Sequence, residues 1–365
     1  MTGRWHTVDV LRGLCILSVV LLHIQIRIPF EKSWVGALLP RAARRVLFYN
    51  GFYAVKVFFV ISGFLITANI LRRWGSLPRL DLGAFYRMRF ARIAPCLLAL
   101  LAVLAVLHTA GVEGFVINPA RAGLGEAMLA ALTFHINVLE IRVGYLPASW
   151  DVLWSLSIEE VFYLAYPLLC RLAPRRWGLA CVGLGLAVAG PFARTVWAGG
   201  NEMAADKGYF TGFDCIAMGC AAAWLASELQ PGVGARRALR WVGLALLAQV
   251  AIYPIVTAPL WRYGLDVTVL GAGAALFLAG LETRQSTTPG WNPLAWLGRS
   301  SYEIYLTHGF VTVAGAQLFH AWGQGPDATP FWHVGMVAVS GVLGWLTARF
   351  YSEPLNQRLR AIGTA

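Results

Sequence analysis

The chain has 365 residues, of which 58% are apolar and only 13% charged, and its mean hydropathy is +0.61. A soluble domain of that length carries about a quarter of its residues as charges, so the composition excludes one and points to lipid as the solvent. The net charge of +12 would suggest nucleic acid in a soluble protein, but here the basic excess sits in loops between apolar runs, so no nucleic-acid partner is expected.

A helix that crosses a bilayer needs about 20 mostly apolar residues. By that measure the sequence predicts ten spans, over 10–28, 46–70, 92–111, 153–171, 177–197, 211–228, 239–257, 264–281, 301–321 and 331–351. The first is not a signal peptide, because no small-residue cleavage site follows it and further spans come after. Segment 124–139 is apolar but short, which suits an interfacial or re-entrant helix. With no long repeat and no low-complexity linker, the expected architecture is all-α. It is a polytopic membrane protein of about ten transmembrane helices in a single bundle, one integral-membrane domain over 1–365 with no appended soluble domain. The six cysteines, Cys15, Cys96, Cys170, Cys181, Cys215 and Cys220, have neither disulfide nor metal spacing and read as buried thiols. No metal site is expected.

Lys and Arg in the loops set the orientation. With the N-terminus inside, seventeen of the 30 fall on the cytoplasmic side. Both termini and the Arg72–Arg92 stretch are therefore expected in the cytoplasm, segment 112–152 outside, and the protein in a bacterial inner (plasma) membrane, in contact with its lipids. The basic residues between Arg27 and Arg45 run against that bias.

Charged groups inside spans are costly and mark candidate sites. In the first span Arg12 and His23 are eleven residues apart. At 100° per residue they share a helix face, about 16 Å apart along the axis. A snorkelling arginine and a hydrogen-bonded core histidine would also account for them. In the second span Ser62 and Gly63 follow Phe58-Phe59-Val60-Ile61, and close helix packing alone would explain two such small residues. The basic stretch from Arg72 ends in Phe85-Tyr86-Arg87-Met88-Arg89-Phe90-Ala91-Arg92-Ile93-Ala94-Pro95. There Arg89 and Arg92 share a helix face, and paired guanidinium forks suit phosphate. Attraction of a cytoplasmic loop to anionic lipid is the plainer account.

Glu159 and Glu160 open an apolar helix, where a helix dipole favours acids. Pointing about 100° apart, at most one of them is expected to face a shared site. Asp214, Glu303 and His308 are further polar groups in apolar runs.

Taken in order, these segments resemble the acyltransferase-3 family of integral-membrane O-acyltransferases. The likeness rests on the arginine–ten residues–histidine spacing (Arg12, His23), the FFVISGFLI run, FYxxRxxRIxP, WSLSxEExFYLxxP and the late GRSSYxIYLTH. Phe213-Asp214-Cys215 resembles the family's FDALxxG stretch, and Glu353-Pro354 its closing acid–proline pair. The likeness covers essentially the whole chain. It implies transfer of an acyl group, usually acetyl from acetyl-CoA, to a hydroxyl-bearing acceptor. The expected acceptor is a carbohydrate of a surface or exported polysaccharide, free or lipid-linked; a non-carbohydrate metabolite is the alternative. It also implies that His23 and Arg12 form the essential pair, that Arg89 and Arg92 form the paired-arginine motif, and that Glu159 matches the motif acid.

Mechanistically, a histidine is the usual base near neutral pH, and Arg87, Arg89 and Arg92 are expected to hold the phosphates of the acyl-CoA donor. Direct transfer and a transient acyl-histidine both fit. A transporter would also carry mid-membrane charges, but the internal repeats common in transporters are not visible. The oligomeric state is not legible.

Overall fold

The computed structural model describes residues 5–172, 176–252, 260, 262–281 and 291–361. Among them every regular element is helical. Helix α1, His6–Arg27, is followed by two short helices, α2 (Trp34–Leu38) and α3 (Arg41–Phe48), and by the long pair α4 (Gly51–Trp74) and α5 (Leu82–Thr109). Three short helices come next, α6 (Leu124–Leu132), α7 (Ile136–Val143) and α8 (Ala148–Asp151), ahead of α9 (Leu153–Leu172) and α10 (Arg176–Phe192). Helices α11 (Glu202–Lys207), α12 (Phe210–Leu229), α13 (Val233–Ile252) and α14 (Asp266–Ala279) follow. The last four are α15 (Pro293–Arg299), α16 (Ser301–Ala321), α17 (Thr329–Thr347) and α18 (Glu353–Ala361). Single π turns, Ala193–Trp197 and Ala348–Ser352, follow α10 and join α17 to α18.

Among the described residues, six segments are long and apolar enough to cross a membrane: His6–Arg27, Gly51–Trp74, Leu82–Thr109, Ser149–Leu172, Glu202–Leu229 and Pro326–Ala361. The expected spans 177–197, 239–257, 264–281 and 301–321 are not among the six. Each falls short for a physical reason. Helix α10 runs 17 residues before its π turn, and α14 has 14. Helix α13 opens on Arg236, Arg237 and Arg240, and residues 253–257 of its expected span lie outside the described residues. Helix α16 is 21 residues long, but Glu303, His308, Gln317 and His320 dilute its apolar character. Segment 124–139 is two short helices, α6 and α7.

Helix α5 begins ten residues before the expected span, because the Asp81 carboxylate caps it, accepting from the Ala84 amide at 2.9 Å. The segment from Phe85 to Pro95, expected as the end of a loop, therefore forms the first turns of a 28-residue helix. Helix crossings rely on glycine. A Cβ on Gly63 of α4 would lie 1.9 Å from the Ile216 carbonyl oxygen of α12, and one on Gly219 of α12 would lie 2.0 Å from that of Val60. The two backbones touch there, as small residues permit in lipid. Close packing thus accounts for Gly63, though not for Ser62.

Candidate functional site

Where α4 ends at Arg72 and Arg73, a cavity of about 870 Å³ enters the bundle and follows α4 back to Val55. At 1.5 Å per residue that is about 26 Å of helix. Among the described residues, seven arginines line it: Arg12 of α1, Arg72 and Arg73 of α4, Arg89 and Arg92 of α5, Arg299 of α15 and Arg360 of α18, and the acids in that lining are Glu159 and Glu353. The lining is therefore strongly basic.

Two of these arginines are fixed by carboxylates from other helices. Arg89 reaches from α5 to α9, donating from Nε to Glu160 Oε1 at 3.0 Å and from Nη2 to Glu160 at 2.5 Å and Glu159 at 3.0 Å. Its guanidinium lies 3.7 Å from the centre of the Tyr163 ring. Ser62 donates to Glu159 Oε1 at 2.5 Å, which explains a small polar residue in that run. Both adjacent carboxylates therefore meet one group, against the expectation that only one could. The arginine enters between them, and two long flexible side chains close the 100° gap. Arg92 donates to Glu303 Oε1 of α16 at 2.8 Å, and Ser352, in the π turn after α17, donates to the same oxygen at 2.8 Å. Arg87, expected beside them, is exposed and lies outside the lining, since two residues along a helix turn it to the far side.

His23 does not line this cavity. Arg12 and His23 therefore share α1 but sit at different levels. The cavity's inner end is marked by Ser155 of α9 and Tyr305 of α16, whose hydroxyls are 2.7 Å apart. The Tyr305 ring centre lies 5.9 Å from that of His308, one turn on, and His308 lies 4.9 Å from His23. A line of contacts thus runs from the basic cavity to His23.

Beyond the histidines the sequence reading missed a second charged cluster. Lys207 of α11 donates to Glu140 of α7 at 2.8 Å and also to Asp151 of α8, with the Tyr145 ring centre 4.4 Å away. The charges of Lys207 and Arg27 both reach His23. No local motif signals this cluster, because its members come from three separate short helices. Arg194, in the π turn after α10, is buried and donates to Asp214 of α12 at 2.8 Å and to the Gly264 carbonyl at 2.8 Å. That gives Asp214 a structural partner away from the cavity lining.

The chain is 29% identical over 326 residues to a peptidoglycan O-acetyltransferase, OatA, of Listeria monocytogenes, covering 83% of this chain and 48% of that protein. It is 22% identical to the O-acetyltransferase OatA of Staphylococcus aureus, covering 96% of this chain and 57% of that one. It is 26% identical to a putative peptidoglycan O-acetyltransferase, YrhL, of Bacillus subtilis, covering 95% and 54%. The chain spans about half the length of these relatives. No solved structure matches it. The profile of a family described as an acyltransferase domain matches residues 5–349, nearly the whole chain, which therefore belongs to the acyltransferase-3 family.

Proposed function

We propose that the chain is a membrane-bound O-acyltransferase that moves an acetyl group from acetyl-CoA to a hydroxyl of a carbohydrate, with His23 as the base. The observation that carries the donor assignment is the cavity: seven arginines against two lining carboxylates, leading inward to Tyr305 and the histidines beyond it. A nucleotide-phosphate head with a long uncharged thioester arm matches a cavity that is lined by arginines at its mouth and reaches in to Tyr305. The carbohydrate acceptor is supported by the relatives, of which two carry names describing peptidoglycan O-acetylation.

In this reading the arginines divide their work. Arg72, Arg73, Arg92, Arg299 and Arg360 grip the phosphates near the mouth. Arg89, already matched by two carboxylates, holds α5 to α9 and shapes the wall. Arg12, three turns from His23, stabilises the donor along its path and does not touch the reacting atoms. His23 draws the proton from the acceptor hydroxyl as the acceptor oxygen bonds to the acyl carbon. When the carbon–sulfur bond breaks, His23 returns that proton to the departing thiolate, leaving coenzyme A thiol and the acetyl ester.

The test is transfer of deuterated acetyl from labelled acetyl-CoA to a defined muropeptide or oligosaccharide in membrane vesicles, read by mass spectrometry at matched protein levels. His23→Ala should lower transfer by about 10²-fold or more. Retention of more than about a third of the wild-type rate would remove His23 from the chemistry.

A further inference from the structure

His308 is fully buried, and its surroundings fix which ring nitrogen carries hydrogen. Nδ1 lies 2.7 Å from the Tyr305 carbonyl oxygen and 3.2 Å from that of Ile304. Carbonyls only accept, so Nδ1 is the donor, and in the neutral ring Nε2 holds a lone pair. That Nε2 is buried with no hydrogen-bond partner. Leaving a buried acceptor unmade is costly, and α16 could have avoided it with an apolar side chain. The neighbour able to use it is His23, whose ring centre is 4.9 Å away with the planes at 63°. The two rings meet edge to face with no hydrogen bond between them, so a turn of the His23 ring about its soft terminal torsion brings one of its nitrogens to Nε2. The two cations whose charges act on His23, Arg27 and Lys207, are donors and cannot accept its N–H. Arg27 spends an Nη1 hydrogen on the His23 carbonyl at 2.8 Å, and Lys207 donates to Glu140 and Asp151.

We propose that His308 is the positioning residue of the transfer reaction, its Nε2 accepting the N–H on the His23 ring nitrogen opposite the one that takes the acceptor's proton. Two backbone carbonyls hold the His308 tautomer, and His308 in turn holds the orientation of His23. A carboxylate does this work in many histidine-based sites. A neutral imidazole does it without adding a charge to an apolar bundle. The inference rests on His23 being the base.

The test compares His308→Phe, which keeps a flat ring and loses the acceptor, with His308→Gln, whose amide oxygen can replace it. Both are measured beside His23→Ala for kcat, for KM toward acetyl-CoA and acceptor, and for thermal unfolding in detergent. His308→Phe should lower kcat at least about tenfold with both KM values within about twofold of wild type, and His308→Gln should recover most of the loss. If His308→Phe does not fold, His308→Leu replaces it in the comparison. Phe or Leu variants within about threefold of the wild-type kcat, or Gln no better than they are, would overturn the proposal. If His23→Ala is also active, the base assignment itself fails; if His23→Ala is inactive, only the role of His308 does.

Discussion

At the scale of single residues, the ion pairs decide which arginines are available to a ligand. Arg89 is bonded to both Glu159 and Glu160, and its side chain is 23% exposed while that of Glu160 is 7%. Truncating Arg89 would strand a buried carboxylate, and removing one member of a buried pair typically costs about 3–5 kcal/mol. Arg89→Ala is therefore expected to lower the thermal midpoint in detergent by several degrees, and Arg89→Lys to restore only part of it because the bidentate fork is gone. Arg73→Ala and Arg360→Ala should leave the midpoint unchanged and weaken acetyl-CoA binding in titration calorimetry, by about 1 kcal/mol each or more. Unfolding that is indifferent to Arg89→Ala would make its pairs ornamental; binding indifferent to both mouth variants would move the phosphates elsewhere. The sequence showed Arg89 and Arg92 on one face but not what that face meets. Their acids lie about seventy residues away for Arg89 and over two hundred for Arg92, beyond any local pattern. The same distance hid Lys207, Glu140 and Asp151, whereas Arg12 and His23 were legible because one helix period relates them.

At the scale of elements, α4 is the axis of the site. One face carries Ser62 to Glu159 and lines the cavity; another presents Gly63 to α12. A methyl group on Gly63 has no space beside the Ile216 carbonyl, and backbone cannot move aside as a side chain can. Gly63→Ala is expected to cost at least the 1–3 kcal/mol typical of overpacking, seen as lower yield of folded protein and a lower thermal midpoint. Gly183→Ala, where an added methyl meets nothing within 4 Å, is the matched control. Equal behaviour of the two variants would mean that the α4–α12 contact is looser than described. The run around Gly63 signalled close packing in the sequence, but the partner helix was not legible, since small residues declare an approach without naming its target. The start of α5 was misplaced for a related reason. Hydropathy sees only the apolar part of a helix, so a polar first turn capped by Asp81 reads as loop until its backbone bonds are known.

At the scale of the whole molecule, the charges divide between two ends. Arg72, Arg73, Arg79, Arg87, Arg358 and Arg360 gather where α4 ends and α5 begins, together with the mouth of the cavity. Segment 112–152 and α11, at the far end of α9 and α12, hold Glu113, Glu126, Glu140, Asp151, Glu202 and Asp206 against Arg121, Arg142 and Lys207. Basic loops are retained in the cytoplasm, which is also where acetyl-CoA is made available, so the basic cavity end is expected to face inward and the acidic end outward. The protein suits a direct test, because its described cysteines, Cys15, Cys96, Cys170, Cys215 and Cys220, are all buried and give little background to a thiol reagent. Cysteines placed at Arg79 and at Ala120, both exposed positions, report the two ends. In intact cells a membrane-impermeant maleimide should label Ala120→Cys and spare Arg79→Cys, and permeabilised cells should label both. The reverse pattern would put the arginine-lined mouth outside, away from the coenzyme A pool, and the donor assignment would fall with the orientation. Labelling of both from outside would break the topology altogether, since α5, the long apolar helix between those two positions, could not then carry the chain across.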